Sequence, residues 1–310
     1  MYPDYLKSML LKAGDTIGIV TPSAPAHPDV LGRVRTGLDK LGFKIKCPHD
    51  PSKYYNSNEY LYSNGSAEER SLAFNSLISD SEVAAIWSLR GGYGATEMIE
   101  KIDYDSLKKT PKLLIGFSDF TAVMLSVLAK TKIVSIHAPS LMSLFEESPT
   151  EDAQLNLQVC FDFLLGKNLQ VFKDNQLSVI NKGAPAEGNL IGGNLSTLAS
   201  LIGSTYLPSF ENSILFLEET GESPRQVLRL LSQLKLSDIL SQVKAIVLGS
   251  FGSSDKLSSR GPSLEEVFHS FFSNTKLLVV KDASFGHQGK NFPVPIGARA
   301  RLNLNSLEFI

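Results

Sequence analysis

The chain has 310 residues, 43% hydrophobic and 20% charged, enough apolar material for one large domain or two smaller ones. Its 30 Lys and Arg against 32 Asp and Glu leave a net charge of −2, so no basic excess exists to neutralise a phosphate backbone, and a nucleic-acid partner is excluded. The two cysteines, Cys47 and Cys160, stand far apart, which excludes a disulfide scaffold and a cysteine-rich zinc site and fits a reducing compartment.

The first residues, Met1 to Lys7, show no basic start, apolar core and small-residue cleavage site, so no signal peptide is expected. A membrane span needs roughly 18 apolar residues in a row. The best candidate, Phe120 to Ala138, is cut by Lys130 and Lys132. The expectation is a soluble, cytoplasmic protein with no membrane partner.

In chain order, the pattern predicts a strand over Thr16–Val20 ending in the turn-rich Thr21 to Pro25, then a helix over Val30–Leu41 and a strand over Lys44–Cys47. A helix over Ala67–Ile78, a strand over Val83–Leu89 and a helix over Ala95–Ile102 follow. Next come a strand over Leu113–Phe117, a helix from Asp119 to Ala129 and a strand over Ile133–His137. Strands alternating with helices of this length predict βαβ units and a mostly parallel sheet covered on both faces. A helix over Glu151–Leu165 closes this first domain, residues 1–165. The polar stretch 166–183 reads as the linker to a second domain, 184–310. There the pattern predicts helix Ser196–Ile202, strand Ile214–Leu217, helix Pro224–Leu236, strand Ala245–Leu248, helix Leu264–Phe272 and strand Leu277–Val280. Ala298–Leu304 alternates basic and apolar positions as an edge strand would.

Several segments carry residues suited to chemistry. Leu113 to Thr121 runs an apolar strand through Gly116-Phe117-Ser118-Asp119 straight into a helix, the tight turn that exposes a nucleophilic serine at a sheet's C-terminal edge. Backbone N–H groups there would face an oxyanion. Taken alone, the segment favours Ser118 or Asp119 as a helix cap, because capping serines far outnumber nucleophiles. Arg90-Gly91-Gly92-Tyr93-Gly94 is either a ligand-hugging turn or a plain connector, and it fits no nucleotide fingerprint. Of the five histidines, His27 and His49 read as surface residues and His269 as a helix residue outside catalysis. His137 reads as a hydrogen-bonded core histidine. His287 sits in a glycine-flanked loop after a strand, where catalytic groups concentrate. No spacing supports a metal site. Glu218 and Glu219 end a strand, either as solvated charges or with one acid placed to orient a histidine. Glu187 to Leu195 reads as a tight capped turn or a polar cleft wall.

Together and in order, these blocks resemble the LD-carboxypeptidase family of serine peptidases, which also includes microcin C immunity peptidases. The resemblance runs from Gly14-Asp15-Thr16-Ile17-Gly18-Ile19-Val20-Thr21-Pro22-Ser23 through Arg90 to Gly94, Gly116 to Asp119 and Glu187 to Leu195. It continues through Leu217-Glu218-Glu219 and Gly286-His287 to Pro295-Ile296-Gly297-Ala298. It departs at Ala138, where His-Gly-Pro is usual after His137, and at Glu219, where aspartate is usual.

The resemblance implies an α/β fold: a flavodoxin-like, parallel-sheet N-terminal domain carrying the serine, and a smaller mixed α/β C-terminal domain supplying glutamate and histidine. It implies Ser118 as nucleophile, Glu218 as acid and His287 as base, with an oxyanion hole from the backbone of Asp119 and of Gly91 or Gly92. Candidate substrate contacts are Arg90, Tyr93, Glu187 and Asn194. No metal and no cofactor is implied, and members are often homodimers. The implied reaction cuts an L–D peptide bond to release D-alanine from muropeptide tetrapeptides during cell-wall recycling. The microcin branch instead cleaves aminoacyl-nucleotide conjugates, using a loop tryptophan to stack the base. The only tryptophan, Trp87, lies in a predicted strand, which favours the muropeptide reading. A non-catalytic peptide-binding homologue is the third alternative.

Overall fold

A computed structural model describes residues 10–60, 62–172, 177–252 and 261–310. The expectation for the chain's first seven residues, and for residues 173–176 of the linker, falls outside the described residues. Strands β1 (Thr16–Val20), β2 (Lys44–Lys46), β3 (Val83–Ser88), β4 (Leu113–Gly116) and β5 (Ser135–His137) alternate with helices over Pro28–Lys40, Ala67–Ser79 and Thr121–Thr131. The chain continues through β6 (Ser178–Asn181), β7 (Ala186–Asn194), β8 (Ser213–Thr220), β9 (Ala245–Gly252), β10 (Leu278–Lys281), β11 (Val294–Ile296), β12 (Arg299–Leu302) and β13 (Leu307–Phe309).

The first sheet has the order β11-β5-β4-β3-β1-β2, parallel except for β11. Reading 2-1-3-4-5 without β11, this is the flavodoxin-like order, whose ligand crevice lies at the C-terminal ends of the strands where the order reverses. Every residue of β1 and of β4 is buried, as a sheet covered by helices on both faces requires. The second sheet runs β13-β12-β7-β8-β9-β10-β6, with β7 to β10 parallel and the outer strands antiparallel.

Three expectations change. Glu187 to Asn194 is neither turn nor loop but most of the nine-residue strand β7, an interior strand of the second sheet, and Leu195 opens the helix after it. A Cβ on Gly192 would sit 1.7 Å from the Phe216 carbonyl oxygen on β8, so this glycine permits tight strand packing rather than a turn. The alternation read at Ala298–Leu304 belongs to β12, which is paired on both sides; β13 forms that edge. Part of the stretch read as a linker, Ser178–Asn181, is strand β6 at the other edge. The C-terminal segment also returns to the first sheet, because β11 pairs antiparallel with β5, Val294 opposite His137. The two sheets are thereby stitched together close to His137.

Candidate active site

Ser118 stands where β4 ends, with φ +60°, a left-handed conformation uncommon for a residue with a side chain. Such strain persists where surrounding structure enforces it, and it commonly marks functional turns. The capping reading fails at this junction. The Thr121–Thr131 helix has Phe120 at its N-cap position and no side-chain cap. Asp119 instead reaches sideways: its Oδ2 accepts from Ser23 Oγ at 2.6 Å and from the Ala95 N–H at 2.8 Å. It thus ties the turn after β4 to the loops after β1 and β3. Burial pushes the Asp119 carboxyl up from its ordinary range, with the Ser23 and Ala95 hydrogen bonds opposing. The glycine turn closes over the serine. A Cβ on Gly91 would lie 2.8 Å from Ser118 Oγ, whereas one on Gly92 would strike Ala24.

Glu218 and His287 meet here from the second sheet. The His287 Nδ1–H donates to Glu218 Oε2 at 2.6 Å, with Glu218 fully buried and the imidazole 19% exposed. The register of β8 against β9 shifts between Leu217 and Glu219, a bulge beside Glu218; such bulges re-aim a side chain. Glu219 is buried too, so the reading of both as solvated charges is overturned. Its carboxylate accepts from the Ser196 and Thr220 N–H groups, both at 2.8 Å. The His287 ring packs on Phe117, the residue before Ser118, with centroids 4.6 Å apart. An imidazole held through Nδ1 by a buried carboxylate leaves Nε2 free to take a proton from a hydroxyl.

The candidate substrate contacts separate. Tyr93 is 74% exposed on the glycine turn. Arg90 Nη1 donates to the Pro25 carbonyl at 2.7 Å, and Nε is buried without a hydrogen-bond partner; burial lowers its pKa. Asn194 instead caps the Leu195–Ser200 helix, its Oδ1 accepting from the Thr197 N–H at 3.0 Å, while its own N–H donates to Thr121 Oγ1. Glu187 is not at the site. It pairs with Arg299 and Arg301, and the seven residues separating it from Asn194 along β7 correspond to about 23 Å. A cavity of about 470 Å³ lies beyond Gln288, lined by Ser250, Phe251 and Lys281 among others, and none of Ser118, Glu218 and His287 lines it.

Family models for the LD-carboxypeptidase N-terminal and C-terminal domains match residues 17–138 and 187–302. The chain belongs to the LD-carboxypeptidase family. A Bacillus subtilis (strain 168) protein described as "Probable murein peptide carboxypeptidase" is 27% identical over 306 residues, covering 96% of this chain and 91% of that protein. The microcin C7 self-immunity protein MccF of Escherichia coli is 27% identical over 325 residues, covering 96% and 92%. Among solved structures, muramoyltetrapeptide carboxypeptidase from Oxalobacter formigenes superposes with a TM-score of 0.81 at 28% identity, covering 94% of this chain and 97% of that one.

In this member of the family, Trp87 is fully buried and donates through Nε1 to the Pro139 carbonyl at 2.9 Å. It cannot stack on a ligand. Sequence reasoning missed Arg70, whose side chain is fully buried. Its guanidinium donates to the carbonyls of Pro22, Gly65 and Gly94 and to Glu97, binding three loops around the serine. Nothing in a helix reading Ala67 to Ser79 distinguishes that arginine from a solvated one. Among the described residues no helix is long and apolar enough to cross a membrane, and no group of three His, Cys, Asp or Glu is placed to hold a metal.

Two histidines depart from expectation. His49 has both ring nitrogens buried without hydrogen-bond partners, and burial lowers its pKa. His137 is fully buried as expected, but neither ring nitrogen has a hydrogen-bond partner among the described residues. Desolvation lowers its pKa to about 4, against the nearby Glu218 charge. In the unfolded chain the same imidazole titrates near its ordinary 6.5. The unfolded state therefore binds the extra proton as pH falls from 6.5 towards 4, and stability drops over that window. The wild type is expected to lose on the order of 2–3 kcal/mol more than His137→Phe between pH 7 and 4.5. Urea unfolding at both pH values checks this, and equal losses in the two proteins would refute it.

Proposed function

We propose that this protein is a serine-type LD-carboxypeptidase that hydrolyses the bond to a C-terminal D-alanine in muropeptide tetrapeptides, as part of cytoplasmic peptidoglycan recycling. The observation that carries the reading is the 2.6 Å contact between His287 Nδ1 and buried Glu218 Oε2, beside a serine in a left-handed turn. Ser118 Oγ attacks the scissile carbonyl as His287 Nε2 takes its proton. Glu218 fixes the imidazole tautomer and stabilises the imidazolium. The Asp119 N–H, with Gly91 or Gly92, receives the oxyanion. His287 then protonates the leaving amine of D-alanine, and water hydrolyses the acyl-enzyme by the reverse sequence. Arg90 and Tyr93, at the glycine turn, are the proposed substrate contacts.

The names of the relatives support this substrate class, and the buried Trp87 speaks against the base-stacking mode of the microcin branch. Incubating the protein with L-Lys- or diaminopimelate-containing tetrapeptides is expected to release free D-alanine. Preferred cleavage of an aminoacyl sulfamoyl nucleoside would move the protein to the microcin branch. Peptide binding without release from either substrate would make it a binder.

The glycine turn gives a further expected result. Gly91→Ala places a methyl group 2.8 Å from Ser118 Oγ, inside van der Waals contact. Turnover is expected to fall about 100-fold or more, the scale of losing one oxyanion donor. Steady-state rates near the wild-type value would show that the turn yields and that Gly91 is dispensable.

A further inference from the structure

Three phenylalanines neighbour the three reacting residues along the chain. Phe117 precedes Ser118, Phe216 lies two residues before Glu218, and Phe285 lies two residues before His287. All three converge on one side chain. The His137 ring lies nearly perpendicular to Phe117 (5.9 Å, 80°), Phe216 (5.5 Å, 87°) and Phe285 (6.1 Å, 80°). Phe216 and Phe285 also meet each other at 5.6 Å and 88°. His137 belongs to β5 of the first sheet and Phe216 to β8 of the second, while Phe285 follows β10. The imidazole therefore spans the seam between the sheets, close to where β11 joins β5.

A buried polar ring without hydrogen bonds is costly, so a purely space-filling role would favour an apolar residue. What His137 has instead are directional contacts. Perpendicular ring pairs at such separations set the positive edge of one ring against the negative face of the other, which fixes mutual orientation as well as distance. Three such contacts on a single ring hold three backbone segments in one geometry. Misplacement of reacting groups by about 1 Å can cost on the order of 100-fold in rate.

We propose that His137 is a positioning residue that holds Ser118, Glu218 and His287 in register across the two sheets. This rests on the reading of those three as nucleophile, acid and base. The test compares wild type with His137→Ala, His137→Gln and His137→Phe, by kcat and KM on the tetrapeptide and by the rate at which a fluorophosphonate labels Ser118. The alanine variant is expected to lose about 100-fold in kcat and in labelling rate, with KM within about threefold. Phenylalanine, which restores a ring, is expected to recover at least about tenfold of that loss. If the alanine variant does not fold, glutamine, which fills space without a ring, is expected to label at least about tenfold more slowly than phenylalanine. Labelling of folded alanine or glutamine variants within threefold of wild type would overturn the proposal. So would a glutamine variant as active as the phenylalanine one. Absence of labelling in the wild type would instead remove the triad reading, which keeps the two failures apart.

Discussion

Ser118→Ala is expected to abolish D-alanine release while the protein stays folded. The loss should be on the order of 10⁵–10⁶ in kcat, because removing a triad nucleophile eliminates the acyl-enzyme route and leaves only binding and oxyanion stabilisation. Stability should change little. Ser118 is half-buried, and alanine in its left-handed position carries the same Cβ and so the same backbone cost. Single-turnover assays with the tetrapeptide, alongside thermal melts, check both halves. Residual turnover above about 1% of wild type would remove Ser118 as nucleophile, since no other group in the mechanism can replace its oxygen.

Glu218→Gln should separate activity from stability in the opposite sense. The carboxylate is fully buried, with Oε2 bound to His287 and Oε1 lacking a hydrogen-bond partner among the described residues. Burying a charge with one oxygen unmatched is unfavourable, so the neutral amide should give a thermal midpoint no lower than that of wild type. Catalysis should nevertheless fall about 10³–10⁴-fold. The amide can present its N–H₂ to Nδ1 and select the wrong imidazole tautomer, and it cannot stabilise the imidazolium. A fall in midpoint with activity retained would mean that Glu218 is a structural acid. The expected pairing, inactive yet at least as stable, is a signature that a damaged core does not produce.

Parts of this site were legible before any coordinates. The strand running through Gly116-Phe117-Ser118 into a helix marks its own turn, because apolar periodicity changes from strand to helix within a few residues. The five parallel strands of the first sheet are legible to within two residues for the same reason, since their hydrophobic patterns and turn chemistry are local, whereas β11, which joins that sheet from the far end of the chain, is not. Asp119 reads as a cap in the sequence because a carboxylate beside a helix start looks the same whether it bonds its own helix or, as here, Ser23 and Ala95. Strand β7 was hidden by its glycines, which signal turns in a sequence and close strand packing in the fold. Glu187 was grouped with Asn194 by adjacency in one motif, whereas an extended strand carries the two to opposite ends.

The sequence alone determined the α/β class, the serine turn and, through ordered blocks, the family. All of these depend on residues near one another in the chain, whose propensities and spacing act locally. Tertiary structure alone decided that Glu218 holds His287 across a sequence separation of 69, that Arg70 and Asp119 bind separate loops together, and that His137 gathers three phenylalanines from both sheets. Such contacts follow from how two sheets dock and how β11 crosses between them. Docking is set by the summed packing of many apolar side chains, and no single segment of sequence encodes that sum.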